Sequence, residues 1–256
     1  MTSILVTGGT GTLGRLVVPR LAEAGHRVRV LSRRGGGPVD GVEHVTGDLL
    51  TGAGVEAAVA GVETVVHLAG GPKGDAEATG RLVGAASAAG GVRHLVHISV
   101  IGVDRVPLAW FRAKLGAERA VAGSGMPWTT LRAAQFHDLT LAVVEKMAKL
   151  PVVPVPGGLR FEPVDARDVA ERLVELALGA PAGLVPDLAG PEVHGLGDLV
   201  RGYLAARDKR RPLLPVRMPG QAGRAYRAGD NLAGEGATRG ARTWEDFLAD
   251  RVPAPR

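Results

Sequence analysis

Short apolar runs alternate with longer amphipathic stretches along the first 133 residues of the chain. The apolar runs are nearly continuous, which is typical of strands that are buried on both faces of a sheet. The stretches between them repeat apolar residues at helical spacing, and alternating strands and helices form parallel sheets. The pattern therefore predicts an α/β fold with helices on both faces of the sheet. The six predicted strands read SILVT, RVRVLS, VEHVTG, ETVVHLA, RHLVHISV and WTTLRA.

The pattern changes after about residue 150. The stretch LPVVPVPGGLRFEPVD is rich in proline, which breaks regular structure. The segment DVAERLVELALG then predicts an amphipathic helix with Asp165 or Asp168 as its N-cap. We expect a main domain over residues 1–150 and a smaller lobe over residues 151–256 that packs on it and is not an independent domain.

The smaller lobe contains a glycine-rich, poorly periodic span from Pro219 to Arg242. Such a span is either a mobile flap that closes over a ligand or an extended wrap over the core. The sequence leaves both alternatives open. A short helix is predicted after it, over TWEDFLADR.

A glycine-rich loop follows the first predicted strand directly, in the sequence ILVTGGTGTLG. Gly8, Gly11 and Gly14 are three residues apart and precede a predicted helix. This arrangement lets backbone N–H groups and a helix N-terminus approach a pyrophosphate, because no Cβ holds the phosphates away. The loop, with Thr10, Thr12 and Leu13 between and beside its glycines, therefore predicts a dinucleotide-binding site.

The end of the second predicted strand indicates which dinucleotide binds. An NAD site normally has an acidic residue there, but this chain reads Ser32, Arg33, Arg34 and has no carboxylate between Glu23 and Asp40. Two guanidinium groups can bind a 2′-phosphate in bidentate fashion. The sequence therefore predicts NADP(H). The alternative interpretation is a solvated arginine pair.

Composition excludes several function classes. The chain has 256 residues, 31 basic and 26 acidic, and a net charge of +5. Its arginines are scattered among acids, and the one dense basic run, residues 207–211, is interpreted as solvated surface rather than a nucleic-acid site. The absence of cysteine excludes disulfides and thiol nucleophiles. The histidines show no metal-ligand spacing, so we expect no metal.

The N-terminus enters the first strand without a basic leader, and no apolar run approaches the roughly 18 residues of a membrane span. We therefore expect a soluble cytoplasmic protein with a small-molecule substrate and with no nucleic-acid or membrane partner. A homodimer is left open.

Seven motifs occur in an order that resembles the atypical short-chain dehydrogenase/reductases, in particular their NmrA-like NAD(P)-binding branch. They are TGGTGTLG, GDL at 47–49, HLAGG at 67–71, HISVIG at 97–102, FRAKLGAE at 111–118, PWTTLRAAQF at 127–136 and PVDARDVAE at 163–171. The resemblance implies a Rossmann-type, doubly wound parallel sheet. It also implies that Asp48 accepts a hydrogen bond from the adenine amino group, with Leu49 beside it. Ala69, Gly70 and Gly71 would pass along the ribose and pyrophosphate.

The resemblance also implies a catalytic position with an unusual residue. In the wider family a tyrosine stands four residues before a lysine that holds the nicotinamide ribose, and a serine supports both. Lys114 and Ser99 match the lysine and a serine, but Trp110 stands at the tyrosine position. An indole N–H cannot serve as a titrating acid. The alternatives are that Lys114 pairs with Glu118 on the surface and that Trp110 belongs to the core.

Another proton donor is therefore needed if hydride transfer occurs. In the family, the segment after the sixth strand approaches the nicotinamide and substrate, which implies this position for Gln135, Phe136 and His137. His137 is the predicted donor because the ordinary pKa of histidine is near neutrality. The alternative is a surface histidine at a helix start. Trp110, Gln135 and Phe136 are the predicted substrate contacts and suggest an apolar substrate.

The sequence leaves three functions open. The leading one is an NADPH-dependent reductase of a small apolar carbonyl, quinone or enone compound, whose substrate lies between the main domain and the smaller lobe. The second is a non-redox enzyme, such as a cyclase, isomerase or dehydratase, on the same scaffold. The third is a regulatory protein that senses NADP(H) without turnover, as some NmrA-like members do. Fold alone does not decide among them.

Overall fold

The computed structural model describes residues 2–36, 41–71 and 73–252. The chain forms two compact units, each assembled from several stretches. The first contains Met1–Ser99, Ala109–Arg132 and Val169–Val185, and the second contains Val100–Leu108, Ala133–Asp168 and Pro186–Arg256. Each unit is discontinuous in sequence, so no single position near residue 150 separates the two units along the chain. The assignment of residues 1–150 and 151–256 to two functional parts stays a prediction.

All six predicted strands form, and short strands follow them. The strands are β1 Ser3–Thr7, β2 Arg27–Ser32, β3 Val42–Thr46, β4 Thr64–His67, β5 His94–Val100, β6 Trp128–Ala133, β7 Val153–Pro156, β8 Arg160–Phe161, β9 Gly183–Leu184, β10 Leu188–Ala189, β11 His194–Gly195, β12 Leu213–Val216 and β13 Thr238–Arg239.

Among the described residues a helix follows each of the first six strands except β2, which is followed directly by β3. The helices are α1 Gly14–Glu23, α2 Val55–Val59, α3 Asp75–Ala89, α4 Ala109–Ala122, α5 His137–Met147, α6 Ala166–Leu178, α7 Leu196–Ala206, α8 Gly220–Ala228 and α9 Trp244–Arg251.

The first unit is built around a sheet of strand order β3-β2-β1-β4-β5-β6. β1 pairs in parallel with β2 and β4, β2 with β3, and β4 with β5. This is the strand order of the Rossmann fold, whose ligand crevice lies outside the carboxyl ends of the strands. The predicted α/β class with a parallel, doubly wound sheet is confirmed.

Helices cover this sheet through apolar side chains that alternate along the strands. Leu5 and Leu95 pack in one core cluster with Leu82 of α3 and Val121 of α4. Neighbouring residues of β1 point to the opposite face and are also buried, and α1 contacts β1 and β2. The sheet is therefore buried on both faces, which explains its nearly continuous apolar strands.

The second unit has its own apolar core, formed by residues of α5, β7, α7 and α9 that include Val153, Leu199, Tyr203 and Phe247. β7 pairs in parallel with β12, and β8 pairs antiparallel with β11. The helix predicted over TWEDFLADR is α9, which Thr243 caps.

The N-cap alternatives at α6 are resolved. Asp165 precedes the helix, and its Oδ1 accepts a hydrogen bond of 2.8 Å from the N–H of Arg167. Asp168 lies inside the first turn, where its carboxylate accepts hydrogen bonds from the N–H groups of Ala241 and Arg242.

The span from Pro219 to Arg242 folds as α8, a turn and β13, and two buried acids hold its second half. Asp168 pairs with Arg242, and Glu162 pairs with Arg239 at 3.0 Å. Glu162 also accepts a hydrogen bond of 2.8 Å from the N–H of Ala233. These contacts favour the extended wrap over the mobile flap. Across the part of the chain that the structure describes, the helices are too short or too polar to cross a membrane.

Candidate functional site

A pocket of about 510 Å³ lies in the first unit, at the carboxyl ends of β1, β2 and β4. Most of the residues predicted to bind the cofactor line it. Those brought together are Gly8, Thr10, Gly11, Ser32, Arg33, Asp48, Leu49, Ala69, Gly70 and Gly71. The other residues predicted to bind the cofactor are not among the lining residues: Thr12, Leu13, Gly14, Arg34 and Lys114.

The glycine loop forms one wall of the pocket. Its backbone packs so closely against neighbouring backbone atoms that side chains would not fit at Gly8 and Gly14. Gly8 has a φ of +71°, and a Cβ there would lie 2.6 Å from the backbone nitrogen of Ala69. A Cβ at Gly14 would collide with the carbonyl oxygen of Gly8. The N–H of Gly11 donates to that oxygen at 3.0 Å, which forms the turn into α1. The loop therefore leaves space and backbone donors for a pyrophosphate at the helix N-terminus.

The two arginines after β2 differ in position. Arg33 lines the pocket together with Ser32, whose hydroxyl donates a hydrogen bond of 2.7 Å to the carbonyl of Gly35. Arg34 is exposed and does not line the pocket. One of the two arginines predicted to bind the 2′-phosphate therefore lines the pocket.

Asp48 is held in place by its own turn. Its Oδ1 accepts a hydrogen bond of 2.8 Å from the N–H of Leu50, and Leu49 is buried in the core cluster of the first unit. Both residues line the pocket. Their predicted contact with adenine stays a prediction.

Lys114 lies in a buried ion pair with a residue that no sequence motif singled out. Its Nζ is 2.8 Å from Oδ2 of Asp75, and Lys114 is 9% exposed. Oδ1 of Asp75 accepts a hydrogen bond of 2.6 Å from the N–H of Gly71, and a Cβ at Gly70 would collide with the lysine Nζ. Lys114 therefore reaches the pocket wall.

The predicted alternative partner of Lys114 is engaged elsewhere. Glu118 binds Arg132 through two hydrogen bonds of 2.9 and 2.8 Å. The surface ion pair between Lys114 and Glu118 is thus wrong. Only a weak sequence signal points to Asp75, an acid at the start of a helix that follows the HLAGG motif.

Two buried histidines lie beside the Lys114 ammonium. His67 lines the pocket, bonds through its ring nitrogens to Thr7 at 2.7 Å and Thr79 at 2.9 Å, and stacks on His97 with ring centroids 5.5 Å apart. Burial lowers the pKa of His67 to about 3, with a further contribution from the Lys114 charge. Burial also lowers the pKa of His97 well below its usual value, helped by His67 and Lys114. Both rings are therefore neutral at physiological pH.

Ser99 and Trp110 lie in the first unit but do not line the pocket. The hydroxyl of Ser99 is buried and has no hydrogen-bond partner within the described part of the chain. Trp110 is half-buried at the start of α4 and packs edge-on against Phe111, with centroids 5.1 Å apart. Their catalytic and substrate-binding roles stay predictions.

His137 belongs to the core of the second unit and has no exposed surface. Its Nε2 lies 3.0 Å from the carbonyl oxygen of Pro163, and its ring packs against Trp244 and Phe247. A general acid must reach its substrate, so this position does not support the predicted proton-donor role. The alternative of a surface histidine is wrong for the same reason.

Gln135 and Phe136 lie in the second unit, where main-chain contacts fix them. The carbonyl of Gln135 accepts a hydrogen bond of 3.0 Å from the N–H of Val164, and Phe136 is the N-cap of α5. Their predicted contact with substrate stays a prediction.

The described residues include one group with metal-ligand chemistry. Ligand atoms of Glu192, His194 and Glu245 lie within 4.8 Å of one another near the surface. Exposed acidic groups often lie together without a metal, so the group carries no assignment.

A family model described as NAD(P)H-binding matches residues 8–178. The (4-alkanoyl-5-oxo-2,5-dihydrofuran-3-yl)methyl phosphate reductase of Streptomyces griseus is 38% identical over 196 residues, 74% of this chain and 68% of the relative.

Two solved structures share the fold at low sequence identity. An NADPH-dependent quinone oxidoreductase from Escherichia coli, complexed with NADPH, has a TM-score of 0.82, 19% identity, and coverage of 96% of this chain and 99% of the other. A triphenylmethane reductase from Citrobacter sp., complexed with NADP(H), has a TM-score of 0.77, 20% identity, and coverage of 98% and 100%.

Proposed function

Because the chain belongs to the NAD(P)H-binding family, we propose that it is an NADPH-dependent reductase of a small apolar quinone, enone or carbonyl compound. The observation that carries the proposal is the glycine-walled pocket with Arg33 on its lining and the buried Lys114–Asp75 pair in its wall. The similar proteins named above, all of them reductases or oxidoreductases, support reduction as the reaction.

The lining of the pocket fits a dinucleotide. The glycine loop and the N-terminus of α1 supply backbone donors for the pyrophosphate, and α1 has no acidic residue in its first turn to oppose it. Arg33 supplies a forked donor for a 2′-phosphate. Asp48 and Leu49 would hold the adenine. When bound, NADPH supplies a hydride from its nicotinamide ring.

Lys114 is the group that would hold the nicotinamide ribose. Asp75 keeps the ammonium at the pocket wall, and the neutral rings of His67 and His97 add no charge to repel it. The ion pair thus orients Lys114 before the cofactor binds. Asp75 acts here as a positioning residue.

The two positions considered for a proton donor also bear on the substrate class. Trp110 cannot donate a proton in place of a tyrosine, and His137 is buried in the other unit. A simple ketone needs a positioned acid because hydride addition gives a strongly basic alkoxide. A quinone or an enone gives a delocalised anion that water can protonate. We therefore place quinones and enones ahead of simple ketones among the substrates.

The test is turnover of NADPH against a panel of quinones, enones and ketones, with products measured separately. We expect NADPH consumption to match product formation, and quinones or enones to react faster than ketones. Lys114→Ala should weaken NADPH binding by about 10- to 100-fold, the loss of a charge-assisted hydrogen bond. Arg112→Ala, an exposed residue on the same helix, is the control.

The same panel separates the two other functions. Product formation with NADPH fully conserved would contradict a reductase and support a cyclase, isomerase or dehydratase. Tight NADPH binding without any conversion would instead support a sensor.

A further inference from the structure

The sheet of β7 and β12 in the second unit has one face in the core and one face in solvent. The two strands pair in parallel, with Leu214 opposite Pro154 and Val216 opposite Pro156. Partners in such a pair point to the same side of the sheet, and neighbours along a strand point to opposite sides. Val153 and Val155 enter the core, so the other row faces outward.

The outward row is apolar although it is exposed. Leu214 is 53% exposed, Val216 is 36% exposed, and Val152, which continues the row before β7, is 44% exposed. We call Val152, Pro154, Pro156, Leu214 and Val216 the β7–β12 face. Grouped apolar side chains on a surface mark interaction sites more often than single ones do.

The two chain segments that form this face are rich in basic residues, and they contain no acid between Glu145 and Glu162 or between Asp208 and Asp230. Residues 146–161 contain three cations and no acid, and residues 209–229 contain six cations and no acid. Val153 donates a hydrogen bond of 2.9 Å to Pro212, which brings the starts of both strands together. The exposed cations next to the strand ends, which we call the basic rim, are Lys149, Lys209, Arg210, Arg211 and Arg217.

A concave surface adjoins the basic rim. A recess of about 670 Å³ is lined by Lys209, Arg210, Arg211 and Arg201, with Asp208 as its acid. Arg201 is paired with Asp198 at 2.5 Å. Lys209, Arg210 and Arg211 still outnumber the carboxylate of Asp208 in the recess.

Two kinds of protein partner fit this surface poorly. An added β-strand needs the N–H groups of β12, but this strand has four residues and Pro215 among them has no N–H. A second copy that docks with the same face would bring cations against cations, which is unfavourable.

We propose that the β7–β12 face docks on an anionic lipid surface. Leu214 and Val216 enter the interfacial layer, and the basic rim contacts headgroup phosphates. Apolar insertion and attraction to anionic lipid together anchor peripheral proteins that have no spanning segment. The proposal revises the expectation of no membrane partner, which rests on the lack of a spanning segment and not on the surface.

The test is co-sedimentation of the full chain with vesicles of phosphatidylcholine alone or mixed with an equal amount of phosphatidylglycerol. We expect binding to the mixed vesicles, little binding to phosphatidylcholine alone, and release by salt. Arg210→Ala with Arg211→Ala should weaken binding by about tenfold or more. Leu214→Ser with Val216→Ser should weaken it by about tenfold.

The matched control is Leu178→Ser with Leu184→Ser, which changes two leucines that are 43% and 53% exposed in the first unit. The control should bind mixed vesicles like the wild type. NADPH affinity and thermal melting show that each variant is folded. Absence of binding to mixed vesicles at low salt would overturn the proposal. So would unchanged binding by both the Arg210→Ala, Arg211→Ala variant and the Leu214→Ser, Val216→Ser variant, or a dimer that only the Leu214→Ser, Val216→Ser variant abolishes.

Discussion

Arg33 and Arg34 are neighbours in sequence but not equivalent in the structure. Both arginines are exposed, but Arg33 lines the pocket and Arg34 does not. A guanidinium group adds affinity for a 2′-phosphate only where it can reach the phosphate oxygens. Arg33 is therefore the residue that should select NADPH over NADH.

Arg33→Ala should weaken NADPH binding by about 10- to 100-fold, since hydrogen bonds to charged groups contribute about 1.5 to 3 kcal/mol. NADH binding should change little because NADH has no 2′-phosphate. Arg34→Ala is the matched control and should bind both nucleotides nearly as the wild type does. Titration calorimetry measures all six affinities. Equal loss in the two variants would contradict the distinction.

The sequence could identify Lys114 as a candidate cofactor ligand because Lys114 lies in the FRAKLGAE motif. It could not identify Asp75 as the ion-pair partner of Lys114. Asp75 is 39 positions away, and its contact with Lys114 depends on how α3 and α4 pack. For His137 the sequence suggested a role that the tertiary structure does not support. Its type and position suggested a proton donor, but burial among Trp244 and Phe247 is a property of tertiary packing.

At the scale of elements, local sequence patterns were sufficient to predict helices and strands where hydrophobic residues recur at regular spacing. The six strands form where nearly continuous apolar runs predict them, and α9 begins at the Thr243 cap. The span from Pro219 to Arg242 was ambiguous because its anchors are distant in sequence. Asp168 and Arg242 are 74 positions apart, so no local rule pairs them.

The wrap over residues 230–242 should depend on the carboxylate of Asp168. Asp168→Asn removes the charge that Arg242 pairs with and should cost about 2 to 4 kcal/mol of unfolding free energy. Limited proteolysis within the span should become faster. Glu175→Gln, which removes an exposed pair with Arg172 on α6, is the control. A wrap also predicts similar cleavage with and without NADPH and substrate, and slower cleavage with both would favour the flap.

At the scale of the whole molecule, the match to the NAD(P)H-binding family confirms the resemblance to atypical short-chain dehydrogenase/reductases. The order of the motifs made this possible, since each short motif alone has little specificity. No sequence motif indicated the exposed apolar β7–β12 face. The β7–β12 face depends on which residues of two distant strands come into register.

The stability of the molecule should fall as pH decreases below about 6.5. His67 and His97 are buried neutral, with the pKa of His67 lowered to about 3. Between these pH values the unfolded chain binds protons that the folded chain does not, so acid favours unfolding. Each histidine contributes a slope of up to about 1.4 kcal/mol per pH unit.

Chemical denaturation from pH 7 to pH 4 measures this slope. His67→Gln and His97→Gln should each reduce the slope, whatever they do to stability at neutral pH. His26→Gln, in a partly exposed position, is the control. A slope that neither core variant changes would show that other groups dominate the acid response.

We propose that this protein transfers a hydride from NADPH to an apolar quinone or enone. The most direct test of this proposal uses NADPH in which both hydrogens at C4 of the nicotinamide are deuterium, incubated with the substrate that reacts fastest. Mass spectrometry of the product should show one deuterium per molecule reduced, with one NADP⁺ formed. For a hydride that ends on a quinone oxygen, where the label exchanges with water, the equal yields of NADP⁺ and quinol serve instead. A product formed without deuterium at carbon, and without NADP⁺, would contradict the account.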